Sequence, residues 1–275
     1  MTMRTVENLA VTAASCLVGW AAIENSALLC VSRYEANLLD LPRIVQISDL
    51  HKRQFGKDQK QLIRKVAAQK PAYIAITGDL VSRDMMRFDG VEQLLKELCQ
   101  IAPVLTVDGN HEADLPAGTY ARYRDALERS GVIRMDNRIC KFGKISFAGL
   151  SLPQEYYRGG GVFGFTGEKQ CTVDIMRERL GDCPPNTVLL AHNPLWFPEY
   201  VQWGAALTLA GHVHGGVVRL PKVGGLLSPE RQFCPKFDKG LYRRGQSEMI
   251  VSAGLGKLRL FNPPEICVIS AVKQC

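Results

Sequence analysis

The sequence predicts an α/β fold of two packed sheets flanked by helices, and two observations point there. Short β-branched or aliphatic runs alternate with segments of helical apolar spacing early in the chain, whereas strands separated by turns dominate the last part. Several of the runs stop abruptly at Asp, Asn or His, as expected where buried strands deliver ligands at their carboxyl ends. At 275 residues, 46% of them hydrophobic, the chain can bury a full core in one large domain, alone or with a small appendage. No internal repeat and no flexible linker divides it.

Residues 9–23 carry no charge and form the apolar part of a segment spanning residues 1–26, ahead of a main domain at 27–275. The run is short for a transmembrane span and reads as a membrane-associated or short anchoring helix; a packed N-terminal helix and a cleaved signal are the other readings. Residues 27–39 read as a strand leading through Pro42 into Ile44–Ile47, a buried β-branched strand. Asp49 and His51 follow it two residues apart, so in an extended segment their side chains leave on the same side, with Leu50 turned away. Over residues 58–69, Leu62, Ile63, Val66 and Ala67 recur at helical spacing until Pro71 closes the segment. This helix and its approach are basic (Lys52, Arg53, Lys57, Lys60, Arg64, Lys65, Lys70), by itself the pattern of a solvated face.

Tyr73–Thr77 is a second apolar strand and ends in Gly78-Asp79. Residues 91–101 make an amphipathic helix through Val91, Leu94, Leu95 and Leu98, and Val104–Val107 is a strand ending in Gly109-Asn110-His111-Glu112. Residues 120–130 again show helical spacing; Ile145–Leu150 is a strand, and Gly159, Gly160 and Gly161 lie in the loop beyond it. Residues 188–191 end in His192-Asn193-Pro194, and Leu207–Ala210 ends in Gly211-His212-Val213-His214-Gly215-Gly216. Strands at 217–220, 249–252 and 266–269 complete the chain.

All five histidines, His51, His111, His192, His212 and His214, therefore follow a short apolar strand. One such histidine is more often a satisfied polar group than a ligand. Five of them, joined by Asp49, Asp79 and Asn110, make a mixed nitrogen and oxygen donor set that suits octahedral manganese, iron, zinc or similar ions. Other chemistries fare worse. The triple glycine lacks the Lys-Ser/Thr and the helix start of a phosphate loop, and Ser48 and Ser151 lack a base partner. Asp108, Glu112 and Asp114 are expected to support the ligands or to be solvated. Nine cysteines, odd in number, dispersed and without a Cys-x-x-Cys pair, read as reduced thiols of a cytosol-facing domain. The net charge of +7 favours anionic partners without choosing among nucleic acid, phosphate esters and an anionic bilayer.

Asp49-Leu50-His51, Gly78-Asp79, Gly109-Asn110-His111-Glu112, His192 and Gly211-His212-Val213-His214 resemble, in order and rough spacing, the motifs of the calcineurin-like metallophosphoesterases. The resemblance runs from about Arg43 to the C-terminus. Within that superfamily the chain looks like the membrane-associated branch, with Gly254-Leu255-Gly256 and Pro263-Pro264-Glu265 as further shared blocks. The resemblance implies a four-layer α-β-β-α sandwich of two mixed sheets. It also implies a hydrolase of phosphodiester or pyrophosphate bonds, with UDP-2,3-diacylglucosamine hydrolysis in lipid A synthesis as one such activity. Asp49, His51 and His214 would hold one divalent ion, Asn110, His192 and His212 a second, and Asp79 both; manganese is the expected metal, with iron or zinc as alternatives. His111 would protonate the leaving oxygen or steady its charge. One departure is that the cytosolic UDP-2,3-diacylglucosamine hydrolases carry arginine after the motif asparagine, where this chain has His111.

The expected partner is a lipid-linked phosphate ester, and the expected location is the cytoplasmic face of a membrane. Residues 9–23 and the basic segment at 52–70 supply two weak attachment signals of the kind that hold together what neither holds alone. Nucleic acid is less favoured, because no aromatic stacking stripe accompanies the basic segment.

Overall fold

The computed structural model describes residues 28–157, 169–220, 223–227, 233–257 and 259–272, together with Thr12, Ser15, Cys16, Gly19, Trp20, Ile23 and Glu24. In chain order the strands begin with β1 (Cys30–Ala36), β2 (Ile44–Ile47), β3 (Tyr73–Thr77), β4 (Val104–Val107), β5 (Ile133–Arg134), β6 (Arg138–Phe142) and β7 (Ile145–Leu150). They continue with β8 (Thr187–Ala191), β9 (Leu207–Ala210), β10 (Arg219–Leu220), β11 (Gly224–Gly225), β12 (Gly240–Arg244), β13 (Ser247–Val251) and β14 (Glu265–Ala271). The helices of the main body are α1 (Lys60–Ala67), α2 (Asp89–Cys99), α3 (Asn110–Ala113), α4 (Ala117–Ser130), α5 (Val173–Leu180) and α6 (Phe197–Trp203).

Two six-stranded sheets result, ordered β1-β14-β2-β3-β4-β5 and β12-β13-β9-β8-β7-β6, with β10 and β11 forming a separate ribbon. Each sheet is mixed. The strands β2, β3, β4 and β5 run parallel, as do β13, β9, β8 and β7, while β14 lies antiparallel to β2 and β6 antiparallel to β7. Period-two alternation sorts the side chains into layers. In β2 and β3, Val45, Ile47, Ile74 and Ile76 turn outward against Leu62 and Val66 of α1, Leu94 and Leu98 of α2 and Tyr123 of α4. Ile44 and Ala75 turn the other way and meet Phe147, Val188, Leu190, Leu207 and Leu209 of the second sheet. On the far side of that sheet Ala148, Leu189 and Ala191 pack on Met176 of α5 and Tyr200 and Trp203 of α6. The order helix, sheet, sheet, helix is the four-layer α-β-β-α sandwich expected from the sequence, and both outer strand faces are covered, which is why the central strands are continuously apolar.

Polar residues interrupt the inner layer, Gln46 among them. Gln46, fully buried in β2, donates from Nε2 to Thr77 Oγ1 at 3.0 Å and to the carbonyl of Ala210 in β9 at 2.8 Å, a hydrogen bond from one sheet to the other. The expected strand at 217–220 contracts to β10, because its partner is the two-residue β11. Among the described residues every cysteine is a free thiol, and no helix is long and apolar enough to cross a membrane. The expectations for Gly159, Gly160 and Gly161 fall outside the described residues, as does most of the apolar run at 9–23. Glu24 is described, and it is fully buried: its carboxylate accepts from the amides of Phe261, at 2.7 Å, and of Asn262, which ties the N-terminal segment to the main body.

Candidate metal centre

Every motif residue lies just beyond the carboxyl end of a parallel strand: Asp49 and His51 after β2, Asp79 after β3, Asn110 and His111 after β4, His192 after β8, and His212 and His214 after β9. The turns that carry them are sharp. Asp49, His51, Asp79, His212 and His214 all adopt the left-handed backbone, with φ of 54°, 53°, 52°, 73° and 53°. For non-glycine residues this conformation is unfavourable and gathers where a site over-determines it. Hydrogen bonds between turns compensate. Asp49 N–H donates to Gly78 O and His51 N–H to Asp79 O, each at 3.1 Å, and the amide of His212 donates to Asp49 Oδ1 at 3.1 Å.

The side chains converge in two groups that share one carboxylate. Asp49, His51, Asp79 and His214 each offer a ligand atom within 4.8 Å of the others, and so do Asp79, His192 and His212. Within the first group, His51 Nε2 lies 3.4 Å from His214 Nε2, and His214 Nε2 lies 3.2 Å from Asp49 Oδ1. Within the second, His192 Nε2 lies 3.3 Å from Asp79 Oδ2, and Asn110 Oδ1 lies 3.1 Å from His192 Nε2 and 2.9 Å from His212 Nδ1. Asn110 thus joins the second group. His192 donates from Nδ1 to the Thr77 carbonyl at 2.7 Å, which turns the Nε2 lone pair inward, the orientation usual for a ligating imidazole.

The field at this centre calls for positive charge. Burial alone raises the carboxyl pKa values of Asp49 and Asp79, but the neighbouring imidazoles, His214 for Asp49 and His192 for Asp79, pull both below the ordinary carboxylate range. Burial likewise lowers His192, yet Asp79 and Asp49 override it and hold the ring up at about 10. Two buried carboxylates therefore stay ionised among imidazoles, where a divalent ion can take the place of the ring protons. A set of imidazole nitrogens, carboxylates and one amide oxygen, with two imidazole Nε2 atoms facing each other at 3.4 Å, fits divalent ions of the manganese, iron or zinc kind. The left-handed Gly254, at φ +68°, and the close approach at Gly109 keep the walls tight. A Cβ on Gly254 would meet Asp49 Oδ2 at 2.6 Å, and one on Gly109 would meet Asp79 Oδ1 at 2.4 Å.

His111 stands beside this set. Its amide donates to Asp79 Oδ1 at 2.8 Å and its Nε2 is 3.9 Å from Asp79 Oδ2. Burial is the first cause of a ring pKa held down to about 4, with His51 and Arg83 adding to it against the pull of Asp79. The backbone N–H of Arg83 lies 3.2 Å from His111 Nδ1. Arg83 was not singled out by the sequence reading. Its guanidinium lies 3.2 Å from His111 Nε2 and 3.2 Å from Asp114 Oδ2, and so places a cation at the rim. Tyr157, also missed, packs its ring 5.4 Å from that of His212 and 5.9 Å from that of His192. Neither residue belongs to a strand-end Asp or His pattern, so sequence offered no signal for them.

Glu112 and Asp108 support the ligands from beneath. The Glu112 carboxylate, almost fully buried, accepts from the amides of Asp79, Val81 and Gly109 at 2.9, 3.0 and 2.7 Å, stapling the turn after β3 to the turn after β4. Burial and the charges of Asp79 and Asp108 push its pKa up to about 8. Asp108 accepts from the Tyr120 hydroxyl and is pushed up to about 7 by burial and Asp136.

A family model for the calcineurin-like phosphoesterases matches residues 42–216, which carry every one of these ligands. The chain is 28% identical over 240 residues to the phosphodiesterase YaeI of Escherichia coli, covering 84% of this chain and 82% of that protein. It is 26% identical over 284 residues to the UDP-2,3-diacylglucosamine pyrophosphatase LpxG of Chlamydia muridarum, covering 84% of each. It is also 26% identical over 249 residues to the uncharacterized metallophosphoesterase YkuE of Bacillus subtilis, covering 83% of this chain and 78% of that one. With two groups of metal donors at the strand ends and a family match over most of the domain, the chain belongs to the calcineurin-like phosphoesterase family and is a metal-dependent phosphoesterase.

Proposed function

We propose that the protein hydrolyses a phosphodiester or pyrophosphate bond in a lipid-linked substrate of the UDP-2,3-diacylglucosamine class, at the cytoplasmic face of a membrane. The observation that carries the reading is the pair of donor groups joined through Asp79. Asp49, His51 and His214 would hold one divalent ion, Asn110, His192 and His212 the other, and Asp79 both. Two such ions, manganese by preference, supply positive charge to the phosphoryl oxygens and acidify the attacking water. Because only two carboxylates line the donor set, the loaded site is net positive, as an anionic phosphoryl group requires.

The chain's own residues do the rest. The neutral His111 ring would donate a hydrogen bond that steadies the charge building on the leaving oxygen, a role worth roughly 10² to 10³ in rate. Arg83, beside it, orients a second phosphate oxygen. Tyr157 covers His192 and His212 and excludes water from their side of the centre. The lipid-linked substrate is supported by the similarity to a UDP-2,3-diacylglucosamine pyrophosphatase and by the apolar and basic segments at 9–23 and 52–70.

The test is an assay of manganese-loaded protein on a UDP-linked diacylated sugar beside nucleotides, nucleic acid and bis-p-nitrophenyl phosphate, with and without chelator. Release of UMP and a lipid monophosphate, abolished by chelator, is the expected result. Cleavage of nucleic acid alone would refute the lipid-linked substrate, and absence of all turnover with metal bound would refute the mechanism.

A further inference from the structure

Of the nine large apolar residues exposed among the described residues, Leu39, Met86 and Val272 lie elsewhere and six lie together. Trp20, Ile23, Leu220, Val223, Phe233 and Phe261 are between 38% and 63% exposed, and they gather on one face. Leu220, Val223 and Phe261 line a cavity of about 610 Å³ with Arg219, Lys236 and Tyr242. Phe233 pairs with Leu227 and precedes Cys234, another residue of the same wall. Glu24, the residue after Ile23, takes the amide of Phe261 at 2.7 Å and so seats the end of the N-terminal helix against this cavity. Of that segment the described residues Thr12, Ser15, Cys16, Gly19, Trp20 and Ile23 are exposed.

We propose that this face docks on an anionic lipid bilayer, with Trp20, Ile23, Val223 and Phe233 entering the headgroup boundary. The inference rests on the lipid-linked reading and adds to it the surface that meets the lipid. The charges bordering the face select the occupant. Among the described residues its carboxylates are engaged: Glu24 by backbone amides, Asp238 by Arg219 at 2.6 Å and Glu265 by Lys239 at 2.6 Å. Lys236, in the cavity wall, is exposed. Exposed Trp20 and Ile23 next to aliphatic and aromatic side chains, with Lys236 exposed in the same wall, suit an interface with anionic headgroups. A second copy of the chain fits less well, since two-fold pairing of this face would put two copies of Lys236 in one interface.

The position of the face has a direct bearing on the chemistry. Asn262, the neighbour of Phe261, donates to the carbonyl of His214 at 2.6 Å, and Arg219 donates to the carbonyl of Gly215 at 3.2 Å. The docking face therefore braces the backbone of the loop that carries the metal donor His214.

Full-length protein mixed with vesicles of phosphatidylglycerol and phosphatidylcholine in equal parts, or of phosphatidylcholine alone, tests this by co-sedimentation. The wild type should partition onto the anionic vesicles, and V223E combined with F233E should weaken that partition about tenfold or more. The same double variant should keep its bound metal and its turnover of bis-p-nitrophenyl phosphate. The control Leu39→Glu, an exposed apolar residue in the turn after β1, should bind vesicles like the wild type. Undiminished binding by V223E/F233E, an equal loss in Leu39→Glu, or a solution dimer that V223E/F233E dissolves would each overturn the proposal. If V223E/F233E still binds vesicles while the wild type cleaves the UDP-linked lipid, the docking face is wrong and the function stands. If vesicle binding behaves as expected but no lipid-linked substrate is cleaved, the function is wrong and the docking face stands.

Discussion

Replacing Glu24 by alanine should damage the metal centre although Glu24 touches no metal donor. The carboxylate accepts from the amides of Phe261 and Asn262, and Asn262 in turn holds the carbonyls of His214, at 2.6 Å, and Gly216, at 2.7 Å. Arg53 donates to the carbonyl of Glu24 and to that of Gly256, while Arg259 donates to Gly256 and His214. Hydrogen bonds to a charged acceptor contribute about 1.5–3 kcal/mol each, so Glu24→Ala should lose about 3–5 kcal/mol of stability. Residues that orient a ligand from outside typically change metal affinity by about 10- to 100-fold, and a loss toward the lower end is expected here, since His214 keeps its bond from Arg259. Urea unfolding measures the first quantity and competition with a calibrated chelator the second. A chain starting at Asn25 lacks the same carboxylate and should behave alike. Stability within about 0.5 kcal/mol of the wild type, the range of a neutral surface change, together with unaltered metal affinity would refute the coupling.

Asp79→Asn should lower bound metal at both positions, measured by elemental analysis, because it removes the charge common to the two donor groups. His111→Ala should retain most of the metal and lose turnover by roughly 10² or more; an empty site would instead make His111 a ligand. Gly109→Ala forces a methyl to within 2.4 Å of Asp79 Oδ1 and should cost about 1–3 kcal/mol in overpacking while also reducing metal content. Asp108 has a folded pKa raised to about 7 from 3.8, so its stabilising contribution is complete below 3.8 and is lost as pH rises through about 7. Asp108→Asn should therefore narrow the difference in urea stability between pH 5 and pH 8, and an unchanged difference would count against that linkage.

The central strands were legible because burial on both faces writes itself as an apolar run. Ile44–Ile47, Tyr73–Thr77, Val104–Val107, Ile145–Leu150 and Leu207–Ala210 fall on the predicted residues. The edges were not. β6 mixes Arg138 and Lys141 with Ile139 and Phe142, since one side of an edge strand faces solvent, and α6 opens on Phe197-Pro198, which reads as a turn rather than as a first helical turn. Helix starts were read late for α2 and α4, where Asp89 and Ala117 precede the first apolar contact. Site residues stood out because five histidines in one chain all follow strands. Glu112 is the instructive miss in degree: the motif placed it beside the ligands, but only the packed turns reveal that it binds three amides at once. Arg83 and Tyr157 reach the centre from loops whose path depends on tertiary packing, which no local spacing encodes.

The hydrogen bond from Gln46 across to β9 marks the seam on which the metal centre lies, and the seam has a consequence for how the chain matures. The first sheet contributes Asp49, His51, Asp79 and Asn110, and the second contributes His192, His212 and His214. Neither donor group is complete within one sheet. During synthesis the first sheet's ligands emerge before the imidazoles of His192 and His212, and the last ligand, His214, follows only after β9 has been made. Metal capture is thus an event of assembled halves, and the ions act as a clasp whose binding free energy adds to the closed sandwich as a whole. A half-folded chain offers each ion only part of its donor set, so full affinity for metal comes with the closed sandwich.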